Sequence, residues 1–152
     1  MSKIIAIHVC PEESGPMQSV PEIQAIAGKG LKGDRYFDIV ARDGKTEKTG
    51  RHATLIESEA LEALERDYEM KLPPDQSRRN ILTRGVALNH LVGREFKIGD
   101  AVFRGIRLCE PCNYLAKISF PEALKGLVHR GGLRAQILNE GVLRVGDTIR
   151  VL

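Results

Sequence analysis

Glycine and proline interrupt this sequence so often that most of its apolar runs are too short to form helices. The chain contains 15 glycines and 7 prolines. Residues 3–9 (KIIAIHV) and 53–57 (ATLIE) are rich in β-branched and apolar residues, a composition that predicts strands. Residues 95–108 predict two or three further strands separated by Gly-Asp and Gly turns. This pattern favours a protein built mainly from short strands.

Residues 142–151 repeat the pattern of apolar residues, Gly-Asp and β-branched residues that is found in residues 95–108. The two closest matches are KIGDAV and RVGDTI. Two equivalent hairpins explain this similarity as well as an internal duplication does. The chain shows no repeat with a period of about 20–50 residues, which argues against a solenoid.

One helix is clearly predicted and a second follows from a capping pattern. Ser58 can cap the first helix, and Pro73-Pro74 prevents its continuation. Its apolar stripe has helical spacing and consists of Ala60, Leu61, Leu64 and Tyr68. A shorter helix is expected to begin near residue 120, where Ser119 and Glu122 fit a capping box.

Many short strands with two helices inserted predict an α+β fold. We expect it to be mostly β, with a curled or β-barrel-like sheet and two or more flanking helices. A chain of 152 residues can bury one core but hardly two, so residues 1–152 are expected to form a single domain. Residues 10–35 are expected to be loop-rich, and residues 41–50 to form an exposed loop.

Composition excludes several classes of protein. The net charge of +3 is too small to indicate nucleic-acid binding, and aromatic residues, which stack on single-stranded bases, make up only 5% of the chain. No apolar run approaches the ~20 residues that span a bilayer, so no membrane association is expected. Three cysteines without an export signal favour a reducing cytoplasm and free thiols.

The pair Cys109-Glu110-Pro111-Cys112 is the most informative chemical motif. A C-x-x-C pair can be half of a zinc site, a redox dithiol, or a single reactive thiolate with an incidental neighbour. A zinc site would need two more ligands, and the sequence has no second paired motif. Cys109 follows apolar strand residues, which favours a buried thiol, whereas Cys112 lies in a polar turn where reactivity is easier.

Three glycine- or arginine-rich stretches can bind anions. Arg78-Arg79-Asn80 offers guanidinium groups to a phosphate, although composition alone favours a solvated edge strand in which the arginines serve solubility. Residues 28–36 (GKGLKGDRY) can turn backbone N–H groups towards an anion, or can form a plain turn. In residues 129–135 (HRGGLRA), Arg130 can reach an anion and the glycine pair permits close backbone approach; a helix C-cap followed by a strand is the alternative.

Taken in chain order, these stretches resemble the MOSC domain. This is the C-terminal domain of eukaryotic molybdenum-cofactor sulfurases, which also occurs as small stand-alone bacterial proteins. The resemblance covers Gly30 to Tyr36, the Ser58 helix, Arg78 to Gly105, Leu108 to Cys112, and His129 to Asp147. Each piece is loose alone, and the ordered set, with Pro-Cys soon after the Ile-Gly-Asp strands, carries the likeness.

The resemblance implies a β-barrel-like fold that binds the molybdenum cofactor (Mo-molybdopterin), a pyranopterin with a phosphate and a dithiolene-held metal, or its tungsten analogue. By motif, Cys112 supplies the thiolate to the metal or carries a persulfide. The residues that match cofactor-facing or neighbouring family stretches are Arg78, Asn80, Gly33, Asp34 and Arg35. An arginine close to Cys112 would lower the pKa of that thiol and favour the thiolate.

Three functions follow from the resemblance. The leading hypothesis is a cofactor or sulfur carrier that uses Cys112 and delivers to a molybdoenzyme or receives from a sulfur donor protein. The second is a molybdenum-dependent reductase of N-hydroxylated compounds with an external electron donor. The third is a non-catalytic MOSC module without a ligand. The sequence shows no cysteine-desulfurase domain, so we expect no pyridoxal-phosphate-dependent step, and whether the protein is an enzyme stays open.

Overall fold

The computed structural model describes residues 2–12, 14–38, 52–110 and 126–152. Within these ranges the backbone forms eleven strands, β1 to β11, which in chain order are Lys3–Val9, Gln18–Val20, Glu22–Ile26, Gly30–Leu31, Ala53–Glu57, Ile81–Arg84, Glu95–Ile98, Ala101–Leu108, Leu133–Asn139, Gly141–Arg144 and Ile149–Val151. One α-helix, α1, spans Ser58–Tyr68. Single 3-10 turns are formed by Pro74–Ser77 and Leu88–Leu91.

Eight of these strands form one mixed sheet in the order β11-β7-β8-β9-β5-β6-β1-β2. Strands β5 and β6 are parallel, with α1 as part of the connection between them, and the other neighbours are antiparallel. The remaining strands form a second sheet in the order β10-β3-β4. Strand β6 is therefore an interior strand, and the alternative of a solvated edge strand after Arg79 is wrong.

The large sheet curls back on itself. Ile4 in β1 donates its N–H to the carbonyl of Asp147 at 3.0 Å and accepts the N–H of Gly146 at 2.8 Å. Lys3 forms an isolated antiparallel bridge with Thr148, just before β11. The strand order of the described residues nevertheless ends at β11 and β2, so a closed barrel is not found there.

The core lies inside this curl and its composition explains the strands. Alternate residues of the strands point inwards, and Phe96 and Phe103 stack there with ring centroids 5.5 Å apart. A second apolar cluster lies under α1, where Leu61 and Leu64 pack with Ile56. The helix therefore covers the face of the β5-β6 pair that the main core does not use.

Several sequence predictions are confirmed. Strands occupy residues 3–9 and 53–57, and residues 95–108 form the β7-β8 hairpin. The helix predicted from Ser58 ends at Tyr68, before Pro73-Pro74. The fold is α+β, mostly strands, with one helix and a mixed sheet in the described residues.

Three other expectations are wrong. Ser58 is the first helical residue and not the cap, because Glu57 holds the N-cap position without a side-chain cap bond. Residues 10–35 contain β2, β3 and β4. The RVGDTI segment does not form a second hairpin, because β10 pairs with β3 whereas β11 pairs with β7. The β10-β3 and β11-β7 pairs join residues that are distant in sequence, which local patterning cannot show. Strands β2 and β4 pair with neighbouring strands but have only three and two residues.

Some predictions lie outside the described residues. These are the exposed loop at residues 41–50 and the capping box of Ser119 and Glu122. Among the helices that are described, none has the length and apolarity needed to cross a bilayer.

Candidate functional site

A polar cluster forms where the end of β1 meets the turn before β6. Arg78 lies in this turn with a left-handed backbone, φ 65°. Its Nη1 donates to the carbonyl of Gly15 at 2.5 Å, and its Nη2 lies 3.3 Å from the Sγ of Cys10. Cys10 is fully buried, and its thiol lies 2.6 Å from the carbonyl of Glu12. The turn therefore brings a guanidinium group against a buried thiol.

Asp34 holds the Gly-Asp-Arg stretch in this cluster. Its Oδ1 accepts the N–H of Cys10 at 2.9 Å and lies 3.6 Å from Nη1 of Arg35. The guanidinium of Arg35 also lies over the ring of Tyr36, 4.3 Å from its centroid, a cation–π geometry. The neighbouring Gly33 is exposed, with φ 98°. The carboxylate of Asp34 thus fixes the backbone at the end of β1 and leaves two arginines at the cluster.

Asn80 joins three segments through its side chain. Its Oδ1 accepts from the N–H and the hydroxyl of Thr54, at 3.1 and 3.0 Å. Its Nδ2 donates to the carbonyl of His8 at 3.1 Å and to Oδ1 of Asp34 at 3.4 Å. These contacts use both amide hydrogens and both lone pairs of a side chain that is buried. Asn80 therefore contributes to the cluster by positioning its neighbours.

Two buried nitrogen atoms in this region have no hydrogen-bond partner among the described residues. They are Nδ1 of His8 and Nε of Arg78. Burial lowers the pKa of His8 below 6.5, although Asp75 acts in the opposite direction. Buried polar nitrogens are normally paired with protein groups, ordered water, an ion or a ligand. The described residues supply no such partner for these two atoms.

The strand that leads into the C-x-x-C motif ends close to this turn. Arg79, the residue after Arg78, donates from Nη2 to the carbonyl of Cys109 at 3.1 Å and from Nε to the carbonyl of Gly131 at 2.7 Å. Cys109 is buried, which confirms the prediction for that thiol. The motif therefore begins in contact with Arg79, the sequence neighbour of the cluster residue Arg78.

Cys112 lies outside the described residues.

Arg130 lies in a different environment from Arg78. It lines a surface cleft of about 470 Å³ together with Glu57 and His90. Its Nη1 is 4.0 Å from Oδ2 of Asp67. Burial raises the pKa of the Glu57 carboxyl, against the opposing effect of an N–H bond from Leu88. The cleft combines acidic and basic groups, unlike the arginine-rich cluster.

The structure thus brings together Asp34, Arg35, Arg78 and Asn80, which the sequence predicts as site residues, and places Arg130 apart from them. Sequence patterns gave no site role to His8 or Cys10, and they indicated Arg79 as an anion-binding group, whereas its guanidinium donates to main-chain carbonyls. The two-residue alternation of strand β1 offered one signal, because it directs His8 and Cys10 to the same side of the chain. Nothing local shows that residue 79 reaches residue 131.

The described residues offer no cluster of three or more His, Cys, Asp or Glu side chains that could hold a metal ion. The chemistry of the cluster is instead that of two guanidinium groups, a buried carboxylate and a thiol. Guanidinium groups suit phosphate and other oxyanions, and a thiolate suits a soft metal. The strand-rich α+β fold thus carries a cluster of two guanidinium groups, a carboxylate and a thiol at the end of β1.

Comparison with known families identifies the class more closely. The family model "MOSC domain" matches residues 42–150, so this chain belongs to the MOSC family. The match includes Arg78, Asn80 and the C-x-x-C motif. A comparison with curated protein sequences gives no match.

Solved structures show the same fold. The YUAD protein from Bacillus subtilis has a TM-score of 0.81 at 14% identity, covering 99% of this chain and 96% of its own. YiiM from Geobacillus stearothermophilus has a TM-score of 0.74 at 16% identity, covering 100% and 75%. YiiM from Escherichia coli has a TM-score of 0.70 at 16% identity, covering 99% and 69%. At these identities the likeness concerns the fold alone.

Proposed function

We propose that this protein binds the molybdenum cofactor, or its tungsten analogue, and acts as a carrier of the cofactor or of sulfur. In this proposal Cys112 is the thiolate ligand of the metal or the site of a persulfide. A molybdoenzyme or a sulfur donor protein would be the partner. Membership of the MOSC family motivates the cofactor, and the described residues supply the binding chemistry.

One observation carries the proposal. The Gly-Asp-Arg stretch and the Arg-Arg-Asn stretch are distant in sequence, yet Asn80 donates a hydrogen bond to Asp34, 46 residues before it. This contact places Arg35 and Arg78 around one buried thiol and one carboxylate. Both guanidinium groups can donate hydrogen bonds to a phosphate, and the acidic groups of the region are Asp34 and, near His8, Asp75.

The residues present fit a phosphate-bearing pterin. Arg78 retains an unpaired buried Nε among its described contacts, and His8 an unpaired Nδ1. Arg78 can donate to phosphate or pterin oxygens, while the neutral ring of His8 can accept or donate at Nδ1. When bound, the cofactor supplies a metal that takes up and releases electrons or sulfur. The protein itself binds the anion, orients the ring and holds the segment that carries Cys112.

We also propose that residues 1–152 form one domain, although the family match begins at residue 42. Strand β1 pairs with β6 and β2 with β1, while β3 pairs with β10. The segment before the matched range is thus part of both sheets. A truncated chain that begins at residue 42 would lose strands from each sheet and is expected not to fold.

The direct test is cofactor analysis of protein purified from a host that makes the molybdenum cofactor. Wild-type protein is expected to contain molybdenum or tungsten and fluorescent pterin. Cys112→Ser is expected to lose most of the metal and to keep part of the pterin, because the arginine contacts remain. Metal by mass spectrometry and pterin by fluorescence of the oxidised product give the two values independently.

Cys109→Ser is the matched control in the same motif. Its side chain is buried, and Cys109 contacts Arg79 through its main-chain carbonyl, so metal and pterin contents should remain near wild-type values. A wild-type protein without either component under cofactor-replete conditions would reject the proposal. Equal losses in both cysteine variants would reject the specific role of Cys112.

A further inference from the structure

Arg79 is a buried cation that contacts main-chain carbonyl groups from three parts of the chain. It is 8% exposed. Its Nε donates to Gly131 at 2.7 Å, its Nη2 to Cys109 at 3.1 Å and its Nη1 to Ser77 at 3.3 Å. Burial of a guanidinium group is costly unless its donors are satisfied, and these three bonds supply much of that satisfaction.

The geometry requires a forked side chain. The acceptors at Gly131 and Cys109 lie 52 and 30 residues away in sequence, and the third is local. Arginine presents its donors in a fixed plane and can reach several acceptors at once, whereas lysine carries one compact ammonium group. A shorter amide side chain has too few donors for three carbonyls in this arrangement.

The two distant acceptors mark the ends of one segment. Cys109 precedes residues 110–130 and Gly131 follows them. The N–H of Cys109 also donates to the carbonyl of Gly132 at 2.7 Å, so the two ends touch each other as well as Arg79. Arg79 directly follows Arg78, whose guanidinium faces Cys10. A single residue thus links both ends of the segment to the turn of the arginine cluster.

We propose that Arg79 is a positioning residue that ties Cys109, at the end of β8, and Gly131, before β9, to the turn that presents Arg78. This inference rests on the proposed function, because Arg78 is the residue assigned there to the anion. Arg79 itself faces carbonyl groups of the protein. It acts by holding the Arg78 turn against the ends of these two strands.

The test uses Arg79→Ala, Arg79→Lys and the exposed control Arg104→Ala in the full chain. Amide hydrogen exchange at Cys109 reports the segment end, and exchange at Phe96 and Phe103 reports the core. In Arg79→Ala the Cys109 amide is expected to exchange about tenfold faster or more, as the loss of charge-assisted bonds implies. The core amides should exchange at near wild-type rates, as should all these amides in Arg104→Ala.

Chemical rescue separates positioning from a general effect on stability. Millimolar guanidinium chloride, far below denaturing concentrations, is expected to restore protection at Cys109 in Arg79→Ala by occupying the vacated space. It should not do so in Arg79→Lys, where the ammonium group fills that space. Unchanged exchange at Cys109, or equal acceleration at Cys109 and in the core, would overturn the proposal.

Cofactor content provides the link to function. When purified from a cofactor-competent host, Arg79→Lys is expected to contain about one tenth of the wild-type metal and pterin, or less. Arg104→Ala should contain wild-type amounts of both. Equal loading of Arg79→Lys and wild type would overturn the link to the site. Absence of cofactor from wild-type protein would instead reject the proposed function. The exchange measurements would still decide whether Arg79 holds Cys109 and Gly131 in place.

Discussion

At the scale of single residues, buried polar side chains hold this protein's loops to its sheet. His52 illustrates the point away from the arginine cluster. It is 3% exposed, and its Nδ1 accepts the N–H of Ile137 at 3.1 Å. An acceptor nitrogen must be unprotonated, and burial lowers the pKa of His52 below 6.5. The fold thus depends on a neutral imidazole.

We predict that this histidine makes stability pH-dependent. Because the folded-state pKa lies below the unfolded value of 6.5, the stabilising contribution is complete above that pH. It is lost as the pH falls from 6.5 towards the folded-state pKa. Urea unfolding of wild type between pH 7.5 and about 5 should show this decline, with a slope of at most ~1.4 kcal/mol per pH unit from this one group.

His52→Gln keeps a side-chain acceptor but cannot be protonated in this range. Its stability should fall less steeply over the same pH interval than that of wild type. His8 acts in the same direction in both proteins, so the difference between the curves isolates residue 52. Parallel curves for wild type and His52→Gln would contradict the account.

At the scale of elements, close backbone approach decides where strands can meet. Gly132 stands immediately before β9 with φ 112°, and a Cβ at this position would collide with the carbonyl oxygen of Leu55 in β5. The sequence predicts that the glycine pair in residues 129–135 permits close backbone approach beside an anion-binding Arg130. In the structure, Gly132 approaches the main chain of β5. Glycine is needed here for both its backbone conformation and its lack of a side chain.

We predict that Gly132→Ala lowers the free energy of unfolding by about 3 kcal/mol or more, the sum of backbone strain and a steric clash. Gly93→Ala is the matched control, because Gly93 also has a positive φ, 77°, but no atom lies within 4 Å of the added Cβ. Its cost should be about 1 kcal/mol. Equal costs in urea unfolding would show that the approach to Leu55 does not matter.

The same scale shows what the sequence could and could not predict. Strands β1 and β5 and helix α1 follow from local patterns, since their composition and periodicity are strong. Strands β2 and β4 have only three and two residues, too few for a local pattern to show. Strand β3 pairs with β10, which is distant in sequence. The similarity of KIGDAV and RVGDTI reflects a common turn chemistry, not a common pairing.

At the scale of the whole molecule, the candidate site is a product of chain topology. The interior position of β6 brings Arg78 and Asn80 to β1, and Asn80 then binds Asp34. The family resemblance names Arg35 and Arg78 as cofactor-binding residues, and the structure places them beside Asp34 and Cys10, respectively. Sequence motifs could not show the contacts of Arg79, whose acceptors are defined only after β8 and β9 pair.

The central claim is that the cluster around Arg78 binds an anionic pterin cofactor. Its most direct test is the pterin content of Arg78→Gln purified from a cofactor-competent host, beside wild type and Arg104→Gln. We predict that Arg78→Gln contains less pterin than wild type, because losing charge-assisted hydrogen bonds should lower the affinity about 10- to 100-fold. The control should have wild-type pterin content. Wild-type pterin content in Arg78→Gln, at equal folded protein, would contradict the claim.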